Sequence, residues 1–214
     1  MKKGARYDVT GLVEAQYEPG SRSRVLRNLL GIRSSRKMDA AEASALTAAM
    51  EAYVTTYDER HRFTASDICR LHKRWLGGIY EWAGRYRLVN VSRDGFPFAA
   101  AHRIPALMND YGRKVLAQRT PCRFKSRNEV VRALAETHVE LVLIHPFREG
   151  NGRIARVLST LMALQAGLPL LNFGLIAGKA RPDYFAAVQR GMDRNYEAME
   201  ELFAEIIDRS LAAP

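Results

Sequence analysis

Apolar residues recur with a helical period along most of this chain. Asp39 to Tyr57 is rich in Ala, Glu, Leu and Met, all strong helix formers. Thr64 followed by Ala65, Ser66 and Asp67 has the form of an N-cap with an acid in the first turn. Ile68, Leu71, His72, Trp75 and Leu76 then keep helical spacing up to Gly77 and Gly78. Further helices are expected over Ile104–Ala117, over Arg127–Ile144, from Arg153 to the stop at Gly167-Leu168-Pro169, and over Arg181–Asp193 and Tyr196–Leu211. In the longest of these, Val131, Leu134, His138, Leu141, Val142 and His145 share one stripe. One stretch changes period. Tyr86, Leu88, Asn90 and Ser92 alternate with Arg87, Val89, Val91 and Arg93, Asp94-Gly95 signals a tight turn, and Phe96-Pro97-Phe98 returns. A further short helix is expected in residues 9–18, ending at Pro19-Gly20-Ser21. The pattern predicts an all-α bundle with one small β-hairpin, which must pack on helices to be stable.

Composition narrows this picture. With 214 residues and 47% apolar content the chain can bury one sizeable core, so a single compact domain is expected. No segment reaches the roughly 18 uninterrupted apolar residues of a membrane span, and the Met1-Lys2-Lys3 start leads into no apolar signal region. A cytoplasmic protein is expected. Cys69 and Cys122 stand apart from each other and read as ordinary reduced thiols. The net charge of +10 is spread over scattered arginines and lysines without aromatic interleaving. A small anionic ligand or an acidic protein surface accounts for it as well as nucleic acid does, and nucleic acid is not the expected partner.

The chemistry is concentrated in His145-Pro146-Phe147-Arg148-Glu149-Gly150-Asn151-Gly152-Arg153-Ile154-Ala155-Arg156. Pro146 pushes His145 out of αR geometry, so the helix before it stops there. Gly150 and Gly152 let backbone N–H groups converge on one point, which favours an anion. After them Ile154, Val157, Leu158, Leu161 and Met162 form a helical stripe that leaves Arg153 and Arg156 together on another face. Two cations at a helix N-terminus oppose the macrodipole by roughly 0.3–1 kcal/mol each, and a bound phosphate reverses that sign. The other histidines, His61, His72, His102 and His138, lack such neighbours and read as packing residues.

This stretch resembles the signature of the Fic family, His-Pro-Phe-x-(Asp or Glu)-Gly-Asn-Gly-Arg-x-x-Arg, and matches it at every fixed position. The resemblance implies an all-helical fold and transfer of AMP from ATP to a hydroxyl side chain of a target protein, with pyrophosphate released. It implies that His145 is the general base and that Glu149 holds Mg²⁺. It also implies that the backbone around Gly150, Asn151 and Gly152, with the Asn151 side chain, cradles the α- and β-phosphates. Arg153 and Arg156 then neutralise the β- and γ-phosphates, and Phe147 anchors the loop in the core. Tyr184 and Phe185 match the neighbourhood that holds adenine; the asparagine of that region is absent, with Met192 near its place. Tyr17 to Ile32 is similar to the entry of Fic cores, and Ile79 to Arg85 to the segment leading into their flap.

In the flap, Phe96 and Phe98 either clamp the target residue or anchor the hairpin. Thr10 and Glu14 fit an inhibitory helix of the form (Ser or Thr)-x-x-x-Glu-(Gly or Asn), except that Ala15 stands at the last place. Glu14 is then expected to pair with Arg156 and obstruct the γ-phosphate. Thr47 and Glu51 show the same spacing, so the short pattern also arises by chance. On this reading residues 1–36 form an N-terminal inhibitory segment and 37–214 the catalytic core. Self-modification is compatible with it. Three alternatives stay open: removal of AMP, transfer of another nucleotide or phosphate group, and a basic binding module that engages nucleic acid without catalysis.

Overall fold

The computed structural model describes residues 11–176 and 181–212. In chain order it contains α1 (Ser35–Thr56), α2 (Ala65–Leu76), β1 (Ser92–Arg93), β2 (Phe96–Pro97), α3 (Ile104–Tyr111), α4 (Ala117–Arg119), α5 (Arg127–Ile144), α6 (Asn151–Gln165), α7 (Arg181–Arg190) and α8 (Glu197–Leu211). A π-helical segment, Gly112–Leu116, joins α3 to α4. The fold is the expected all-α one with a single antiparallel two-stranded sheet among the described residues.

Side chains fix several helix starts. Thr64 accepts from the Asp67 N–H while Asp67 accepts from the Thr64 N–H, and Ser126 and Glu129 repeat this capping box at α5. Ser34 caps α1 at Lys37, so that helix begins four residues before the expected Asp39. α5 is the axis of the bundle. It packs on α6, α8 and α3, and Ala133, Leu134, Ala135, Val139 and Leu141 have no exposed surface. Ile154, Leu158 and Met162 of α6 are equally buried against it. Each such side chain contributes about 1.5–3 kcal/mol of transfer free energy. α1 and α2 pack on each other and on α6, which brings them against the signature loop.

Two expectations are corrected. The helix expected in residues 9–18 is a single 3₁₀ turn, Val13–Ala15, and Thr10 lies outside the described residues. Between Gly11 and Pro19 there is too little chain to repay helix nucleation. The Glu18 N–H instead donates to Val25, the Arg27 N–H donates to Gln16, and Tyr17 bridges Leu26. The hairpin is also shorter than the alternating pattern, pairing only Ser92 with Pro97 and Arg93 with Phe96. Asp94 and Gly95 both take positive φ, 50° and 82°, as a tight hairpin turn requires. The residues before β1 give their donors elsewhere: the Arg87 N–H to the Pro146 carbonyl and the Leu88 N–H to Glu14.

Candidate active site

α5 delivers His145 to the site. Pro146 bars αR geometry at the preceding residue, and His145 closes the helix in the left-handed region with φ 52° and ψ 58°. That conformation costs about 1–2 kcal/mol for an L residue. Arg87 helps to hold it, its Nε donating to the His145 carbonyl at 2.7 Å. The same buried guanidinium donates to the carbonyls of Val89 and Ala99 at the two ends of the flap, at 2.7 and 2.5 Å.

The imidazole has a fixed tautomer. Its Nδ1 lies 3.0 Å from the Val142 carbonyl, which can only accept, so Nδ1 carries the proton and Nε2 the lone pair. Burial pushes the His145 pKa down to about 4; the Val142 carbonyl opposes this, and the charges of Arg87 and Arg93 add to it. At neutral pH this is an unprotonated base. The Phe98 ring stacks on it with centroids 3.6 Å apart.

The signature loop is held from behind by α2. Gly84 N–H donates to His72 Nδ1, so His72 Nε2–H donates to the Glu149 carbonyl at 3.0 Å. The His72 ring also stacks on Phe147, which is fully buried as expected. Gly150 adopts φ 83°, and a Cβ there would sit 2.7 Å from the Trp75 ring, so only glycine fits. The Asn151 side chain departs from expectation. Its Oδ1 accepts from the Phe147 N–H and its Nδ2 donates to the Phe147 carbonyl, each at 2.8 Å, so it locks the loop and is not turned to phosphates. The backbone N–H groups at the start of α6 lack partners within the helix, an arrangement that suits an anion.

These groups surround one cavity of ≈ 430 Å³. His145, Glu149, the Gly150–Gly152 backbone, Arg153 and Arg156 line one side. Tyr184 and Phe185 also line this cavity, with Phe98 at the flap. Met192 is 65% exposed. Arg153 is tightly placed: Nη1 lies 2.6 Å from Glu42, Nη2 lies 3.4 Å from Glu149, and the guanidinium sits 4.7 Å from the Trp75 ring centre. A second, more apolar cavity of ≈ 470 Å³ lies beyond the flap, lined by Asp94, Phe96, Pro182 and Val188. It shares Arg93, Phe98 and Phe185 with the first.

Glu14 is not where the inhibitory reading puts it. It is buried, its carboxylate accepts from the Leu88 N–H at 2.6 Å, and its carbonyl accepts from Arg148 at 2.9 Å. Among the ion pairs of the described residues there is none between Glu14 and Arg156. Sequence reading also missed Asp39, Glu42, Arg87 and Arg93. Asp39 and Glu42 look like ordinary residues of a helix, and the alternating pattern gives Arg87 and Arg93 no distinction from their neighbours.

A carboxylate, Glu149, with Asp39 in the same cavity, suits a hard divalent ion that takes its remaining ligands from phosphates and water. Arg93, Arg153 and Arg156 outweigh these two acids, so the cavity suits an anion carrying such an ion.

Residues 62–163 match the model of the Fic/DOC family. Protein adenylyltransferase VbhT of Bartonella schoenbuchensis is 30% identical over 148 residues, covering 67% of this chain and 30% of VbhT. The probable protein adenylyltransferase Fic of Escherichia coli is 26% identical over 193 residues, covering 87% of this chain and 89% of that protein. The chain spans about a third of the length of the first curated relatives it matches, 30% and 36%. The N-terminal Fic domain of a Bartonella sp. AR 15-3 effector superimposes with a TM-score of 0.74 at 21% identity, covering 98% of both chains. The Fic domain of Bep8 from Bartonella sp. 1-1C gives 0.72 at 24%, covering 88% of this chain and 94% of that one. With its signature intact and its loop built on a helix N-terminus, this chain belongs to the Fic/DOC family.

Proposed function

We propose that this chain transfers AMP from ATP to a Ser, Thr or Tyr hydroxyl of a protein and releases pyrophosphate. The observation that carries the proposal is the unprotonated Nε2 of His145, whose imidazole is fixed at Nδ1 and lines the cavity that also holds the α6 N-terminus, Arg153 and Arg156. The relatives named protein adenylyltransferase support the same chemistry.

In this reading the target hydroxyl gives its proton to His145 Nε2 as its oxygen attacks the α-phosphorus. A new P–O bond forms, the bond from the α-phosphorus to the bridging oxygen breaks, and pyrophosphate leaves with that electron pair. The α6 amides and the two arginines stabilise the charge that builds on the phosphate oxygens. Glu149, with Asp39 nearby, would hold Mg²⁺, which supplies further charge neutralisation when bound. The hairpin offers backbone groups for strand-like pairing with the target segment. Phe98 stacks on one face of the His145 ring and fixes its plane beside the cavity. The geometry of Glu14 favours a strut beneath the flap over a brake on Arg156.

The test is incorporation of label from α-labelled ATP with Mg²⁺ and a cell lysate as acceptor. His145→Ala should lower labelling by about 10²–10⁴-fold, the usual contribution of a general base. Equal labelling by the variant, or label arriving from the γ- and not the α-phosphate, would overturn the assignment. Label on the chain itself would identify self-modification.

A further inference from the structure

We infer that Glu42 is a positioning residue that sets Arg153 for the terminal phosphates of the nucleotide. It lies on α1, outside the segment that matches the family, and the inference rests on the nucleotide-binding reading above.

The Glu42 carboxylate is only 4% exposed, and each of its oxygens has a partner: Oε2 meets Arg153 Nη1 at 2.6 Å and Oε1 accepts from the Tyr80 hydroxyl at 2.7 Å. Its backbone carbonyl accepts from Trp75 Nε1 at 2.8 Å. The Trp75 ring in turn lies against the Arg153 guanidinium and behind Gly150. Carboxylate, phenol and indole therefore hold one guanidinium in one orientation at the entrance of α6. A flexible arginine loses rotamer entropy of up to about 2 kcal/mol when it is ordered. Here that ordering is complete before a ligand arrives, which is how preorganisation raises affinity.

Glu42 also carries a negative charge near the phosphates, so it could act in the opposite sense, as a competitor for the guanidinium. Its depth decides between the two. A carboxylate this buried and this bonded does not withdraw when phosphate enters, and the guanidinium fork keeps other N–H groups for the ligand.

The two senses predict different orders for ATP and AMP affinity, read by calorimetry on the whole chain. Glu42→Gln keeps an acceptor for Arg153 and should stay within about threefold of native for ATP. Glu42→Leu keeps the volume but frees the guanidinium and should weaken ATP about tenfold, the size of one charge-assisted hydrogen bond. AMP affinity should stay within about twofold, because AMP lacks the phosphates that Arg153 meets. Arg153→Ala should show the same ATP-selective loss, and adding Glu42→Leu to it should cost nothing more. ATP binding that is unchanged or tighter in Glu42→Leu, or a loss shared equally by AMP, overturns the inference. If Glu42→Leu does not fold, Tyr80→Phe decides: a lowered ATP-to-AMP affinity ratio supports the role, and an unchanged ratio overturns it. Native protein that binds ATP no better than AMP also overturns it. Native protein that shows the selective binding but transfers no label refutes the proposed reaction and leaves the role of Glu42 standing.

Discussion

At the scale of single residues, Arg87 shows how a charge can be buried without an ion pair at its head. It is 1% exposed and surrounded by the carbonyls of His145, Val89 and Ala99. Burial pushes its pKa down to about 10, the Glu14 charge opposing and the Arg148 charge adding, so it stays charged at neutral pH. Arg87→Met should cost about 3 kcal/mol, because it strands buried acceptors. Urea unfolding measures this, and an unchanged midpoint would mean that those carbonyls find other donors. Arg87→Lys should recover only part of the loss, since an ammonium lacks the planar fork that reaches several acceptors. His145, Glu149, Arg153 and Arg156 were legible in the sequence because their neighbours along the chain declare them. Arg87 and Glu42 were not. Their partners lie 58 residues away for Arg87 with His145 and 38 for Glu42 with Tyr80, and no local pattern encodes such pairs.

At the scale of elements, legibility followed the range of the signals. Caps and helical period are local, so α2 and α5 begin where Thr64 and Ser126 place them, and α5 ends where Pro146 requires. The hairpin and the N-terminal turn depend on where backbone donors go in three dimensions. Arg87 and Leu88 lose theirs to the signature loop and to Glu14, which shortens the flap to two residue pairs. α2 also has more to do than its stripe reveals. Its His72 and Trp75 read as core residues, yet they support the Glu149 carbonyl and the floor beneath Gly150. The loop lines the cavity, and α2 fixes where that loop stands.

At the scale of the molecule, the central helix buries two histidines in neutral form. His138 lies between Ser159 and Tyr184, and burial, with the Arg156 charge adding, pushes its pKa down to about 3. His145 is pushed down to about 4 in the same direction. Both folded values lie below the ordinary value near 6.5. As pH falls from 6.5 toward 4, the unfolded chain therefore binds protons that the folded chain refuses, and stability falls. Each histidine should remove roughly 1 kcal/mol per pH unit in that window and nothing above it. Urea midpoints at pH 7 and pH 5 test this. A His138→Gln chain should show the shallower slope of one fewer proton, and an equal slope would mean that His138 protonates in the folded state. The base in the site should meanwhile show no protonation limb between pH 6 and 8.

The position of Trp75 has an optical consequence. The chain has two tryptophans, and this one lies with its ring 4.7 Å from the Arg153 guanidinium. The other, Trp82, stacks on Tyr80 with centroids 4.5 Å apart. A Trp82→Phe chain would keep a single indole, placed where the terminal phosphates are expected. Its emission should shift on addition of ATP and hardly at all with AMP, giving a stopped-flow record of nucleotide arrival without a label. Constant emission while calorimetry registers ATP binding would place the phosphates away from Arg153.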